Sequence, residues 1–260
     1  MPIVTLTTDF GLADHYVGTL KGVLLSRCPE AQIIDITHAI PPFALYAGAY
    51  AIDQSAPYFP PGTIHVLVID PGVGTSRRPL LVEALGQRFI APDNGVLSLI
   101  VARDRGATAR EATNPELWLP EPSNTFHGRD VFAPVAAALA SGAALPEDVG
   151  PEIERIELLP GLEPMELPSG VWHGKVLSVD HFGNVITNFK KTRASLSLTV
   201  GDREITEFRQ TFGEAEAGSL FIYTGSSGYL EVGMNRQSAA SLLGAAPGDP
   251  IRLRLRDTIS

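Results

Sequence analysis

The pattern of hydrophobic and polar positions changes once along the chain. In the first half, short apolar runs at residues 3–6 and 64–69 are rich in β-branched side chains and predict buried strands. Amphipathic stretches between and after them predict helices, one of which places Val17, Leu20 and Leu24 on a single face. Strands that alternate with helices predict an α/β N-terminal domain with a mostly parallel sheet.

The ends of two of these helices can be predicted from single residues. Asp14 is the expected N-cap of the first helix, which should stop near Cys28 because Pro29 cannot continue it. Asp130 is the expected N-cap of a later helix, and Gly142 should terminate that helix.

Between residues 146 and 168 five prolines interrupt a stretch without clear periodicity, which is typical of a linker between domains. Beyond it the apolar residues repeat with period two in short runs, at residues 175–179, 196–200, 219–223, 229–232 and 252–256. Short strands separated by glycine and polar turns predict a small antiparallel barrel or sandwich. We therefore expect an α/β domain over residues 1–160 and an all-β domain over residues 169–260.

Composition narrows the class of protein. Hydrophobic residues make up 44% of the chain and charged residues 19%, as in ordinary globular proteins. The net charge of -9 argues against a nucleic-acid partner, whose phosphates are bound by Lys and Arg, and is compatible with a cationic ligand. No apolar run is long enough for a membrane helix, the start lacks a secretory signal, and Cys28 is the one cysteine. We expect a cytoplasmic protein with no membrane partner.

Two acidic residues follow predicted strands, where ligands bind in open α/β sheets. Asp9 could accept hydrogen bonds from a ribose diol, or it could close a local turn before Gly11. Asp70 opens a loop with glycines at positions 72 and 74, and Arg77 could return a positive charge toward its carboxylate. The alternative for this loop is a solvated Pro-Gly turn.

Other candidate motifs are ambiguous when each is taken alone. His127 precedes a predicted helix, where a histidine is more often structural than catalytic, and residues 92–95 form a ready turn sequence. In the second half, Asp180, Phe182 and Asn184 could contact an ammonium group and a base, or they could form a hairpin turn. Residues 224–229 could bind a carboxylate through hydroxyl and amide groups.

The order and spacing of these motifs resemble those of the S-adenosylmethionine (SAM) hydroxide adenosyltransferase family, which is related to the fluorinases and chlorinases. The resemblance covers nearly the whole chain and rests on residues 8–11, 69–74 with Arg77, 91–95, 125–130, 180–188 and 228–230. It implies an N-terminal α/β domain and a C-terminal β-barrel. It also implies a homotrimer, with each site formed between the N-terminal domain of one subunit and the C-terminal domain of the next.

The resemblance also implies roles for individual residues. Asp70, Arg77 and His127 would form a catalytic trio. The substrate-binding residues would be Asp9 on the ribose diol, Phe43 against the ligand, Phe182 and Asn184 on the adenine, and Asp180 and Ser226 on the methionine ammonium and carboxylate. Ser227 stands where the fluorinase has an arginine, and Asp70 stands where fluorinase-like proteins have a tyrosine.

These residues suit hydrolysis of SAM to adenosine and L-methionine by attack of water on the ribose C5′ atom. A sulfonium is a good leaving group, so the reaction needs an activated water and no metal or other cofactor. Two other functions remain open. A metal-dependent phosphoesterase could use Asp9, Asp14, His15, Asp70, His127 or His181 as ligands, although no paired-histidine motif supports it. A non-catalytic SAM sensor would bind the ligand without turnover.

Overall fold

Backbone contacts divide the chain into two units, Met1–Leu159 and Pro160–Ser260. The computed structural model describes residues 1–191 and 195–256. Each unit has its own buried apolar core and is described by itself below.

The first unit is a layered α/β structure. Its strands are β1 (Ile3–Thr8), β2 (Gln32–Thr37), β3 (Ile64–Val68), β4 (Pro79–Ala84), β5 (Gln87–Pro92), β6 (Thr108–Glu111) and β7 (Glu152–Ile153). Its helices are α1 (Tyr16–Arg27), α2 (Leu45–Ser55), α3 (Ser98–Arg103), α4 (Ala133–Ser141) and α5 (Pro146–Val149). Helices α1 and α4 pack together, as do α2 and α3.

The sheet of the first unit is mixed, whereas the sequence predicted a mostly parallel one. Within residues 1–159, all of which are described, the strand order is β2-β1-β3-β5-β4-β6-β7. The strands from β2 to β5 pair in parallel, and β5, β4, β6 and β7 pair antiparallel. The reversal arises at Leu85 and Gly86, whose positive φ angles of 57° and 69° form a tight hairpin turn.

Strand β3 lies inside the sheet, between β1 and β5, and is buried on both sides. Val66 and Val68 face the core cluster that contains α1 and α4, and Leu67 faces the cluster that contains α2 and α3. Alternate side chains of a strand point to opposite faces, so both faces of the sheet are covered by helices. The β-branched run therefore forms the buried strand that the sequence predicted.

Two predicted helix caps are wrong, and both predicted helix ends are confirmed, that of α1 at Cys28 and that of α4 at Gly142. Helix α1 begins after His15, without a side-chain cap from Asp14. Asp130 lies inside a wide π-helical turn, Gly128–Phe132, that leads into α4, and its carboxylate accepts a hydrogen bond from the Ser123 amide at 2.8 Å. Helix α4 ends at Gly142, which takes the left-handed conformation with φ of 73°.

The second unit is a strongly curved antiparallel sheet. Its strands are β8 (Met165–Glu166), β9 (Val171–Val179), β10 (Val185–Lys190), β11 (Ser195–Val200), β12 (Arg203–Ile205), β13 (Leu220–Thr224), β14 (Tyr229–Met234) and β15 (Pro250–Arg256), with one short helix, α6 (Ala239–Leu243). The order among the described strands is β12-β11-β15-β9-β10-β14-β13, and β8 pairs with β9.

The two edges of this sheet approach each other. The chain that follows β12 pairs with β13, because the Ile222 amide donates to the Glu207 carbonyl at 2.7 Å and the Arg209 amide donates to the Ile222 carbonyl at 2.9 Å. The sheet is therefore nearly closed and barrel-like. It encloses an apolar core that includes Val176, Leu198 and Val232.

The proline-rich stretch contributes to both units. Helix α5 and strand β7 belong to the first unit, and β8 belongs to the second. In the part of the chain that the structure describes, no helix is long and apolar enough to cross a membrane.

Candidate active site

Two neighbouring parallel strands, β1 and β3, bring acidic residues together at their carboxyl ends in the first sheet. Asp9 directly follows β1, and Asp70 follows β3 by two residues. The register pairs Thr8 with Val68, so the two carboxylates leave the sheet side by side. Both line a cleft of about 400 Å³, together with Phe10, Tyr16, Pro42, Phe43, Val68, Val73, Thr125, Phe126, His127 and Gly128.

Asp70 and Arg77 form a buried ion pair across the loop that joins β3 to β4. Arg77 Nε donates to both carboxylate oxygens at 3.0 Å, and Nη2 makes a further short contact with Oδ2. The side chains are 5% and 8% exposed, and the guanidinium lies over the Phe132 ring, 5.3 Å from its centroid. The loop approaches the chain before His127 at Gly74, where a β-carbon would collide with the Asn124 carbonyl and φ is 76°.

His127 completes the cluster, and its hydrogen bond to Arg77 defines its tautomer. Arg77 Nη2 lies 2.8 Å from His127 Nδ1. A guanidinium has only donors, so Nδ1 must accept and the neutral ring carries its proton on Nε2. Burial lowers the pKa of His127, the Arg77 charge lowers it further, and the carboxylates of Asp70 and Asp130 oppose the shift. His127 is thereby kept as a neutral donor through Nε2.

One nitrogen of the Arg77 guanidinium, with its two N–H groups, is unused. This Nη1 atom is buried and has no hydrogen-bond partner among the described residues. A buried donor without an acceptor is costly, so this nitrogen favours an anion or an oxygen ligand beside the ion pair.

Asp9 accepts a hydrogen bond from a residue distant in sequence and does not close a local turn before Gly11, whose amide donates to the His38 carbonyl at 2.8 Å. The Oδ2 atom of Asp9 accepts a hydrogen bond from the Phe43 amide at 2.9 Å. Burial raises the pKa of Asp9, and the nearby Asp70 charge raises it further against the effect of the Phe43 amide. Phe43 has φ of 66°, an uncommon conformation for a bulky residue, and its ring is exposed. Such local strain is typical of ligand-contacting segments.

An aromatic cluster that was not predicted from the sequence lines the same cleft. Phe10, Tyr16 and Phe126 contact one another with ring centroids 5.2–5.7 Å apart. Each lies within one residue of a predicted motif or helix start, which is the signal that could have drawn attention to it. These rings give the cleft an apolar wall beside its charged residues.

The second unit contains the remaining candidates. Asp180 organises the turn between β9 and β10: its Oδ1 atom accepts from the amides of Phe182 and Asn184 at 2.9 and 2.8 Å, and its Oδ2 atom accepts from Asn184 Nδ2 at 2.7 Å. Phe182 is 75% exposed. Phe182 and Asn184 line a cleft of about 560 Å³ with Phe212, Met234, Arg236, Gln237 and Ser238. The hairpin turn and the binding role are thus compatible.

Ser226 lies exposed on the turn between β13 and β14. A buried carboxylate beside this turn, that of Glu231, was not predicted as a site residue from the sequence. A β-carbon on Gly225 would collide with the Glu231 side chain, which also accepts a hydrogen bond from Tyr223 Oη at 2.5 Å. Burial raises the pKa of Glu231, and the charge of Asp180 raises it further against the effect of Tyr223. Glu231 therefore lies close to both the Ser226 turn and Asp180.

The candidate metal ligands do not form a coordination cluster. Among residues 1–191 and 195–256, no group of three or more His, Cys, Asp or Glu side chains is arranged to hold a metal ion.

Sequence profiles of two known domains match most of the chain. The SAM hydroxide adenosyltransferase N-terminal domain matches residues 4–150, and the corresponding C-terminal domain matches residues 174–252. The chain belongs to the SAM hydroxide adenosyltransferase family. The matched ranges include the Asp70, Arg77 and His127 cluster and the Asp180 turn.

Similar proteins agree with this family. The chain is 43% identical to the (R)-S-adenosyl-L-methionine hydrolase of Thermus thermophilus, over 96% of this chain and 98% of that protein. It is 30% identical to a fluorinase of Nocardia brasiliensis, over 92% of each chain. The crystal structure of a conserved protein from Thermotoga maritima aligns with a TM-score of 0.84 and 37% identity, over 97% of this chain and 99% of that one.

Proposed function

We propose that this SAM hydroxide adenosyltransferase hydrolyses SAM to adenosine and L-methionine, by attack of an activated water on the ribose C5′ atom. The observation that carries the proposal is the buried cluster of Asp70, Arg77 and His127, of which Asp70 and His127 line a cleft of a family domain. The similarity to a protein named as an (R)-S-adenosyl-L-methionine hydrolase supports the same reaction.

The cluster supplies an acceptor and two donors for one water molecule. Asp70 orients the water and takes up its proton, because a carboxylate can accept more bonds than those that Arg77 makes. Arg77 and the Nε2–H of His127 donate to the oxygen as it becomes hydroxide-like. The carbon–sulfur bond breaks as the carbon–oxygen bond forms, and the bonding electrons stay on sulfur to give the neutral thioether of methionine. No acid and no cofactor take part.

The other candidate residues would bind the substrate. Asp9 would accept hydrogen bonds from the ribose diol, beside the exposed ring of Phe43. Asp180 would pair with the methionine ammonium and Ser226 with its carboxylate. For the adenine we propose Phe182 for stacking and Asn184 for hydrogen bonding to the base edge.

The chemistry of Asp70 favours water over a halide as the nucleophile. A halide needs donors without a neighbouring negative charge, and a carboxylate a few ångströms away would cost several kcal/mol at low effective dielectric constant. We therefore expect no 5′-halo-5′-deoxyadenosine from SAM with chloride or fluoride. Formation of SAM from 5′-chloro-5′-deoxyadenosine and methionine would contradict this exclusion.

We also propose the family's assembly for this chain: a homotrimer of two-domain subunits, with domains at residues 1–160 and 169–260. Each site would combine Asp9, Asp70, Arg77 and His127 of one subunit with Asp180, Asn184 and Ser226 of the next. Mixing Asp70→Asn and Asp180→Ala chains, each inactive alone, should then restore activity through hybrid sites. Inactivity of a verified mixed oligomer would argue that each site lies within one chain.

Product identification tests the reaction. The purified protein should convert SAM to equal amounts of adenosine and methionine, measured by liquid chromatography, with the same rate in EDTA. Binding without turnover would favour the sensor, and loss of activity in EDTA would favour the metal-dependent enzyme. Asp70→Asn is the control for a contaminating activity.

A further inference from the structure

The two charged residues of the catalytic ion pair lie at opposite ends of one loop. Asp70 comes directly after Ile69, the residue that follows β3, and Arg77 directly precedes Arg78, the residue before β4. Within the loop, the Val73 amide donates to the Asp70 carbonyl at 3.3 Å, and the amide and hydroxyl of Thr75 both donate to the Gly72 carbonyl, at 3.1 and 2.7 Å. The Arg77 amide donates to the Thr75 hydroxyl oxygen at 3.3 Å. These local bonds do not fix the two ends of the loop relative to the neighbouring strands, so contacts from outside the loop contribute.

Asn94 holds the first end of the loop. It lies in the turn after β5, and its Nδ2 donates to the Ile69 carbonyl at 2.9 Å. Its Oδ1 accepts from the Val96 amide at 3.2 Å, which fixes the side-chain amide within its own turn. Asn94 therefore anchors the peptide group that immediately precedes Asp70.

Asp93 holds the second end of the loop. Its amide donates to the Arg78 carbonyl at 2.9 Å, and its Oδ2 accepts from Arg78 Nε at 2.8 Å and from Nη2 at 2.5 Å. The Asp93 side chain is 3% exposed. Its Oδ1 accepts from the Glu157 amide at 2.7 Å, so both carboxylate oxygens are engaged. Asp93 thus anchors the residue next to Arg77 through backbone and side chain.

We propose that Asp93 and Asn94 are positioning residues for the reaction. Their turn, which follows β5, is hydrogen-bonded to both ends of the loop between β3 and β4, and these bonds fix the position of Asp70 relative to Arg77. This inference rests on the proposed function. Neither residue lines the catalytic cleft, and their side-chain atoms are already engaged with Ile69, Val96, Arg78 and Glu157, so each acts through the loop and not on the substrate. Loss of the Asn94–Ile69 hydrogen bond or of the Asp93–Arg78 ion pair should impair the alignment of water with the C5′–S bond more than it impairs binding of SAM.

Two pairs of variants test the proposal. Asn94→Ala is compared with Asn114→Ala, because Asn114 Nδ2 likewise donates to a distant carbonyl, that of Asp148, at 2.8 Å. Asp93→Asn is compared with Asp53→Asn, because the Asp53 side chain is 4% exposed and also pairs with an arginine, Arg103. Both controls remove equivalent bonds outside the cleft.

The kinetic constants and amide hydrogen exchange are measured in all four variants. Asn94→Ala and Asp93→Asn should lower kcat by about 10²-fold while KM for SAM changes by less than about threefold, since small misplacement of reacting groups costs rate on this scale. The amides of Val73 and Thr75 should exchange faster than in the controls. The controls should keep the wild-type kcat.

The outcomes separate this inference from the proposed function. If the wild-type protein hydrolyses SAM and both turn variants match their controls in kcat and in exchange, the positioning role is overturned. If the wild-type protein does not hydrolyse SAM, the proposed reaction is wrong. Faster amide exchange at Val73 and Thr75 in the turn variants would then still support the role of Asp93 and Asn94 in fixing the loop. Unchanged exchange in that case overturns both.

Discussion

Replacing Asp70 by Asn removes one negative charge and keeps the shape of the side chain. In the wild-type protein this carboxylate accepts two bonds from Arg77 Nε and a third from Nη2. An amide offers one oxygen, and its NH2 group would face the guanidinium. Because the Arg77 side chain is 8% exposed, its charge would remain buried without a counter-ion. Loss of one partner of a buried ion pair typically costs about 3–5 kcal/mol of stability.

The same substitution should affect catalysis separately from stability. Removal of the general base is expected to lower kcat by about 10²-fold or more. A stability loss of about 3–5 kcal/mol is a large part of the usual 5–15 kcal/mol of a folded protein, so kcat must be measured where the variant is folded. Urea denaturation gives the free energy of unfolding, and steady-state assays under native conditions give kcat and KM.

Asp53→Asn is the matched control for this experiment. Its carboxylate is as buried as that of Asp70, but its partner Arg103 is 43% exposed and can turn toward water. We expect a smaller loss of stability and an unchanged kcat. A folded Asp70→Asn protein with kcat within about threefold of the wild type would refute the role of Asp70 as the base, because base removal costs far more.

Three further predictions concern individual side chains. Because the pKa of His127 is lowered and its neutral form accepts from Arg77, the acid limb of the kcat profile should have its midpoint below pH 6.5, the ordinary pKa of a histidine; a midpoint above 6.5 would contradict the assignment. Burial lowers the pKa of His65 to about 4 in the folded protein. Between pH 6.5 and 4 the unfolded chain therefore binds more protons at this residue than the folded protein does. About 3 kcal/mol of the free energy of unfolding should be lost as pH falls through that range. Urea denaturation at several pH values measures this loss, and His65→Gln should lack that part of the pH dependence. Asp9→Ala should raise KM for SAM more than it lowers kcat, since the ribose diol is bound in ground and transition states alike; a kcat effect as large as that of Asp70→Asn would argue against the diol role.

Features set by local patterns could be predicted from the sequence. The β-branched run that became β3 and the glycine that ends α4 depend on neighbouring residues and were correctly predicted. The Asp70–Arg77 pair could be proposed because glycines at 72 and 74 permit a tight loop. Period-two alternation likewise located five strands of the second unit, β9, β11, β13, β14 and β15, but it missed the buried strand β10.

Features set by distant partners could not be predicted. Asp130 is a residue type that often caps helices, but its carboxylate accepts hydrogen bonds from the Ser123 amide and from Arg129 Nε instead. The partner of Asp9 is the Phe43 amide, 34 residues away, and no local pattern indicates it. The sequence around Asn94 predicts a turn, but nothing in it indicates that this turn is hydrogen-bonded to the loop between β3 and β4.

In the proposed reaction, water attacks the ribose C5′ atom within the Asp70 cluster. Running the reaction in oxygen-18 water and locating the label by mass spectrometry tests this attack. We expect one label per adenosine, in the 5′ hydroxyl group, with methionine unlabelled. Unlabelled adenosine, or methylthioadenosine or S-adenosylhomocysteine as the main product, would contradict it.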